Sequence, residues 1–194
     1  MVFSDNSFNI ATPPRKEKKM EIYEINIEYF KKCLRAVSHE PTRYYISGVY
    51  IHDEDGIRHY VGTNGHILVH CKEKCTGDTP LEKGIIVRPT TALDQKRCLP
   101  YVPLKIYDET TTILHMNKRI LCDIIDGQFP NYKRVIPTEV EPEKEYVAMD
   151  PEYLLLMKRI LGTCTIRPLS SGPNEPHIFR KGDEIEVVIM PMRI

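Results

Sequence analysis

The chain has no surplus of either charge: 27 Lys+Arg offset 27 Asp+Glu in 194 residues. Nucleic-acid binders commonly carry a basic excess, so this balance argues against a protein that grips DNA with its whole surface. It leaves room for a locally basic face. No apolar run approaches the ~18 residues of a membrane span. The first residues lack an apolar core and lead into Pro13-Pro14-Arg15-Lys16-Glu17-Lys18-Lys19, unlike a secretory signal. Residues 1–20 are therefore expected to be a flexible polar tail, and the protein cytoplasmic, without membrane contact. Signatures of catalysis are also missing. There is no nucleophile elbow, phosphate-binding glycine loop or paired-histidine motif. Carboxylates gather in loop stretches (Asp53, Glu54, Asp55; Glu139, Glu141, Glu143), where solvated charge is the ordinary role. The expectation is a protein that is not an enzyme and takes no cofactor.

What is present is ordinary for a globular core: 41% hydrophobic and 28% charged residues. Six cysteines (Cys33, Cys71, Cys75, Cys98, Cys122, Cys164) come without an export signal, so reduced thiols are expected rather than a disulfide framework. His66, His70, Cys71 and Cys75 raise the question of zinc. On one strand His66 and His70 would lie roughly 13 Å apart, too far for ligands held ~2 Å from one ion, and Cys71 would face the other way. No metal site is expected.

Hydrophobic spacing organises the chain. Ile27, Phe30, Leu34 and Val37 form one stripe of a helix over 26–38, with Asn26 as its cap and Pro41 beyond its end. Strands are expected over Tyr44–His52, Ile57–Thr63 and His66–Lys72, the first two joined by the turn Asp53-Glu54-Asp55-Gly56. A short strand over Lys83–Val87 precedes a second helix over Thr90–Leu99, and strands over Lys105–Tyr107, Thr111–Met116 and Arg119–Asp126 follow. After an extended connector at Gly127–Pro137 comes a strand at Tyr146–Met149. Asp150-Pro151 then opens a third helix that ends at Gly162. Strands over Cys164–Pro168, Ile178–Lys181 and Glu186–Met190 complete the chain.

One helix and a run of strands thus recur over 20–82, 83–137 and 138–194, an α+β pattern. Each helix carries cations off its apolar stripe: Lys31, Lys32 and Arg35; Lys96 and Arg97; Lys158 and Arg159. They form either a solvated face or a surface that tracks a phosphate backbone.

Three motifs carry a resemblance. Arg43-Tyr44-Tyr45-Ile46-Ser47-Gly48 precedes Gly62-Thr63-Asn64-Gly65-His66-Ile67-Leu68; Ile125-Asp126-Gly127-Gln128-Phe129-Pro130-Asn131-Tyr132-Lys133-Arg134-Val135-Ile136-Pro137 follows; the last residues are Met190-Pro191-Met192-Arg193-Ile194. In this order they resemble the bacterial DNA sliding clamps, the β subunits of DNA polymerase III. Residues 22–137 are similar to that family's middle domain, and 146–194 to the second half of its last domain. The resemblance implies a DNA-clamp-like fold, with a two-unit domain at 21–137 and a half-unit at 138–194. It implies a processivity factor in DNA replication that binds double-stranded DNA non-specifically. The alternative is an adaptor or decoy that keeps partner docking without encircling DNA.

The family docks a short motif of polymerases and repair proteins in a groove. The residues that match it here are Ile46, Thr63, Gly65, His66, Leu68, Pro130, Arg134, Val135, Met190, Pro191, Met192 and Arg193. Ile67 stands where the family often has arginine, and Asn64 where aspartate is common. Arg43, Tyr44 and Tyr45 match family positions near the DNA path. A clamp loader and a homo-oligomer complete the implied partners. The chemistry is consistent with a docking groove: soft methionines suit varied partners, and arginines fix peptide carbonyls or carboxylates.

Overall fold

The computed structural model describes residues 20–75, 80–81, 83–93, 99–116, 118–138, 141–142, 147–162, 168–172 and 174–192. Strand β1 (Glu21–Asn26) runs directly into helix α1 (Ile27–Leu34). The Asn26 side chain makes the junction by accepting from the amides of Glu28 and Tyr29 at 3.1 and 3.2 Å, two of the donors that a helix start leaves free. Ile27, Phe30 and Cys33 are buried beneath the helix. The helix ends earlier than its apolar spacing predicts. Arg35 and Ala36 bond three residues back, to Lys32 and Cys33, and the Ser38 amide turns away to the carbonyl of Ile46 at 3.0 Å. Val37 is still buried, but from a turn.

Helix α2 (Pro151–Leu161) follows its signals closely. Asp150 accepts from the Glu152 amide at 2.8 Å, proline takes the first turn, and Gly162 at φ 68° closes the end by donating to Lys158. The second expected helix is not seen at Thr90–Leu93 or at Leu99, and 94–98 lie outside the described residues. Thr90 is instead tied to the neighbouring strand: its amide and hydroxyl both donate to the Leu121 carbonyl, at 3.0 and 2.9 Å.

The remaining strands are β2 (Val49–Glu54), β3 (Ile57–Thr63), β4 (Ile67–Lys74), β5 (Ile85–Pro89), β6 (Tyr101–Ile106), β7 (Thr111–His115) and β8 (Arg119–Ile124). They are followed by β9 (Glu141–Pro142), β10 (Leu169–Ser170), β11 (His177–Lys181) and β12 (Ile185–Ile189). The strand expected from Tyr44 begins only at Val49, because Pro41–Ile46 forms 3-10 turns. Ser47 closes the last of these, its amide and hydroxyl both donating to the Tyr44 carbonyl. The strand expected at Tyr146–Met149 carries no ladder over 147–149, and most of the one expected at Cys164–Pro168 lies outside the described residues.

All strands pair antiparallel in one sheet, ordered β1-β6-β7-β8-β5-β2-β3-β4-β12-β11-β10-β9. The C-terminal hairpin joins through β4 and β12, from Cys71↔Ile185 to Ile67↔Ile189. Alternation along each strand then builds two cores. Ile67, Val69 and Cys71 of β4 and Ile185, Val187 and Ile189 of β12 join Phe30, Ile160 and Leu161 on the helix face. Leu68 and Val188 join Ile46, Val61, Ile86, Phe129, Tyr132 and Ile178 on the other. Gly62 marks how tightly α1 lies on the sheet: a Cβ there would sit 2.0 Å from the Cys33 carbonyl oxygen. Cys33, Cys71 and Cys122 are buried free thiols and Cys75 is a half-buried one. No helix among the described residues is long and apolar enough to cross a membrane.

Candidate functional site: a peptide-sized groove

The face opposite the helices is covered by the connector after β8. Phe129 lies flat on Tyr50, with ring centroids 4.8 Å apart and planes 8° apart. Tyr132 opens a 3-10 turn through Val135, and its hydroxyl meets His52 Nε2 at 3.0 Å. Between this strap, the Pro41–Ile46 turns and the β3–β4 loop runs a groove of about 340 Å³. Buried Ile46, Leu68, Val188, Phe129 and Tyr132 form its apolar floor. Pro130, Asn131, Val135 and Met190 stand at its edges. A mostly apolar hollow with a few polar groups is the usual composition of a recognition site.

The β3–β4 loop is locked by its own side chains. Thr63 donates its hydroxyl to the Ile67 carbonyl and accepts from the Gly65 amide, at 2.8 and 3.1 Å. Asn64 Oδ1 accepts from the amides of His66 and Ile67 at 2.9 and 3.0 Å. That is acceptor chemistry, which a carboxylate supplies equally well, so asparagine keeps the loop. Gly65 sits at φ 94°, facing Arg43, whose Nη1 donates to the Asn64 carbonyl at 3.1 Å. The His66 ring lies over Tyr153 of α2 at 6.2 Å. The chain's last described residues close the groove, with the Met190 amide on the His66 carbonyl at 3.0 Å and the Met192 amide on Ala148 at 2.8 Å.

Eight of the twelve residues marked by resemblance line the hollow: Ile46, Thr63, Gly65, His66, Leu68, Pro130, Val135 and Met190. Arg134 is exposed on the turn beside Val135, and Pro191 and Met192 follow Met190 along the rim; Arg193 lies outside the described residues. Ile67, in the arginine position, also borders the hollow, while its side chain is buried in the helix-side core. Arg43 and Tyr45, expected near DNA, line the groove. Phe129, Asn131, Tyr132 and Val188 were not among the residues expected there. Phe129, Asn131 and Tyr132 sit inside the connector motif, and Val188 follows from strand alternation two residues before Met190.

The two helices that carry Lys31, Lys32, Arg35, Lys158 and Arg159 pack on the same side of the sheet. Lys31 and Lys32 are half-buried and Arg35, Lys158 and Arg159 exposed. Arg35 links the helices by donating Nη1 to the Arg159 carbonyl at 3.3 Å. Tyr44 is exposed, edge-on to Tyr45. Lys96 and Arg97 lie outside the described residues. Of the zinc candidates, His66 is exposed in the loop and His70 and Cys71 are buried on opposite faces of β4.

A continuous antiparallel sheet, helices on one face and a groove on the other, defines a DNA-clamp fold. Solved clamps share it. The DNA polymerase III subunit beta of Pseudomonas aeruginosa superposes with a TM-score of 0.69 at 16% identity, over 96% of this chain and 69% of that one. The sliding clamp of Bacillus subtilis gives 0.69 at 17%, over 95% and 67%. The family model "DNA polymerase III beta subunit, central domain" matches residues 24–131, more than half of the chain. The chain therefore belongs to the DNA polymerase III beta subunit family, the bacterial sliding clamps. Its sequence is 31% identical to the beta sliding clamp of Treponema pallidum, over 64% of this chain and 34% of that protein. It is 27% identical to that of Escherichia coli, over 71% and 42%. The chain thus spans between about a third and two fifths of the length of these curated relatives.

Proposed function

We propose that this chain is a clamp-type processivity factor for DNA replication. It docks the short linear motifs of polymerase-type partners in its groove and meets double-stranded DNA with its helix face. One observation carries the docking half: residues from four separate stretches of sequence converge on one apolar hollow, held together by the Met190–His66 backbone bond. The helix-face cations support the DNA half, because exposed Lys and Arg exchange condensed counterions for phosphates without reading sequence. In this reading residues 21–137 are a two-unit clamp domain and 138–194 an added half-unit. The protein acts by holding its partners and takes no part in bond making.

Titrating a labelled peptide that carries a clamp-binding motif tests the docking. Saturable binding in the micromolar range is expected, and no binding at high micromolar concentration overturns it.

A second reading keeps the docking and leaves encirclement aside, since the described residues of one chain build the groove. The groove then serves either a ring closed as a homo-oligomer or an adaptor beside DNA. Among the described residues β1 and β9 end the sheet, which favours the oligomer, since strand edges seek partners.

A further inference from the structure

Five neighbouring strands each place one polar side chain in a single row on the groove face. The row runs His52 (β2), His59 (β3), His70 (β4), Glu186 (β12) and Arg180 (β11). His52 and His59 are register partners with rings stacked at 4.7 Å and 7°. His59 stacks on His70 at 5.2 Å and 11°, and its Nδ1 meets His70 Nε2 at 2.9 Å. His70 Nδ1 lies 3.0 Å from Glu186 Oε2, and Arg180 Nε donates to Glu186 Oε1 at 3.0 Å. The three histidines and Glu186 are all at least nine-tenths buried. Tyr132 covers them, its hydroxyl on His52 and its ring tilted over His70.

A 2.9 Å contact between two imidazole nitrogens needs one nitrogen to donate and the other to accept. With both rings neutral, His59 donates to His70, and His70 donates onward to Glu186. A single proton on His70 keeps the contact, with Nε2–H donating to His59 Nδ1 and Nδ1–H to Glu186; two imidazolium rings cannot make it, since each then presents N–H to N–H. The other groups that face the row are fixed. Glu54 and Lys133 pair with each other beside His52, Lys72 is the register partner of His59, and Tyr50 stacks on His52. Glu54 favours a proton on the row, and Lys133 and Lys72 oppose it. Burial, helped by the neighbouring His70 and His52, pushes His59 down from 6.5 to about 4. The hydrogen bond from His70 leads the effects that hold Glu186 down at about 2.

We propose that this row is a proton-operated clasp between the β2–β3–β4 sheet and the C-terminal hairpin, closed while it carries at most one proton and opened when a second proton enters at His59. His70 and Glu186 face each other across the β4–β12 seam, two positions from the register pair Leu68 and Val188. That pair floors the groove, so opening the clasp splits the groove along its length. The His59 contribution is whole above its ordinary 6.5 and is lost as pH falls toward about 4, because the unfolded chain binds the proton first. Glu186 gives way later, below its ordinary 4.5. The seam therefore loosens before the carboxylate is lost.

The test uses the full chain, with ring resonances of the histidines and amide exchange of β12 followed from about pH 7.5 to about pH 4.5. His59 is expected to titrate at least about one unit below an ordinary histidine. The β12 amides, corrected for intrinsic rate, are expected to lose protection about tenfold or more across the same range, while α1 amides keep theirs. His59→Phe keeps a ring in the stack and takes no proton; it is expected to remove this loss or move it down by about one pH unit. An ordinary titration of His59, steady β12 protection, or an unchanged midpoint in His59→Phe overturns the clasp. Should His59→Phe fail to fold, the wild-type titrations decide alone. None of these readouts involves the occupant of the groove.

Discussion

The Met190 amide donates to the carbonyl of His66 at 3.0 Å, so the C-terminal segment leaves β12 by running along the loop that rims the groove. This bond belongs to the backbone, while the Met190 side chain stands exposed at the groove's edge. Fold and binding are therefore separable at this residue. Met190→Ala is expected to change stability by no more than about 0.5 kcal/mol. The same change is expected to weaken a docked motif peptide about tenfold, roughly 1.4 kcal/mol. Urea melts and peptide titrations on the same preparation check both halves.

A buried ion pair braces the far end of the β2–β3 hairpin. Arg58 grips Asp53 through Nε and Nη2, both at 2.7 Å, and Asp53 also accepts from the Leu81 amide at 2.8 Å. Removing the guanidinium leaves a buried carboxylate with only the Leu81 amide and the Cys75 thiol beside it, so Arg58→Ala is expected to cost about 3–5 kcal/mol. Burial raises the Asp53 carboxyl, but the Arg58 and Leu81 hydrogen bonds outweigh it and the net shift is downward. Its stabilising contribution is present above the ordinary carboxylate range and is lost as pH falls through the depressed value. Melts of Asp53→Asn against pH are expected to show a shallower acid limb than the wild type.

The helix face makes a salt-dependent prediction. If Lys32, Arg35, Lys158 and Arg159 touch phosphates, reversing Arg35 and Arg159 to Glu weakens duplex binding equally for any sequence. The slope of log affinity against log salt is expected to shrink by about 0.9 for each phosphate that is no longer neutralised. Anisotropy titrations on two unrelated duplexes measure it. An unchanged slope assigns these cations to a solvated face.

Much of this architecture is legible from short-range chemistry. Asn26 and the Asp150-Pro151…Gly162 set mark helix ends because caps are local hydrogen-bond problems. Asp55 and Gly56, both at positive φ, mark the β2–β3 turn for the same reason. Long-range placement is not legible. Nothing near Leu68 says that it pairs with Val188, more than a hundred residues later. The Tyr44–Ile46 stretch has β-prone composition, yet Pro41 and the Ser47 bonds to the Tyr44 carbonyl coil it into turns. That coiling carries Arg43 and Tyr45 into the groove. Gly62 reads as a break within a strand, and only the approach of Cys33 explains it. The groove was visible through family motifs, whereas its floor depends on which strand face each residue takes.

Solution mass tests the ring against the adaptor. Light scattering across a concentration series is expected to give one closed oligomer, stable on dilution. A monomer at every workable concentration removes the ring and leaves the adaptor.

The central claim is that the groove holds a partner's motif. The most direct test is backbone NMR of the full chain during titration with a clamp-binding-motif peptide. Saturable shifts are predicted at Thr63–Leu68, Asn131–Val135 and Val188–Met190, with α1 and β6–β7 unmoved. Shifts confined to other surfaces, or none at high micromolar peptide, would contradict the account.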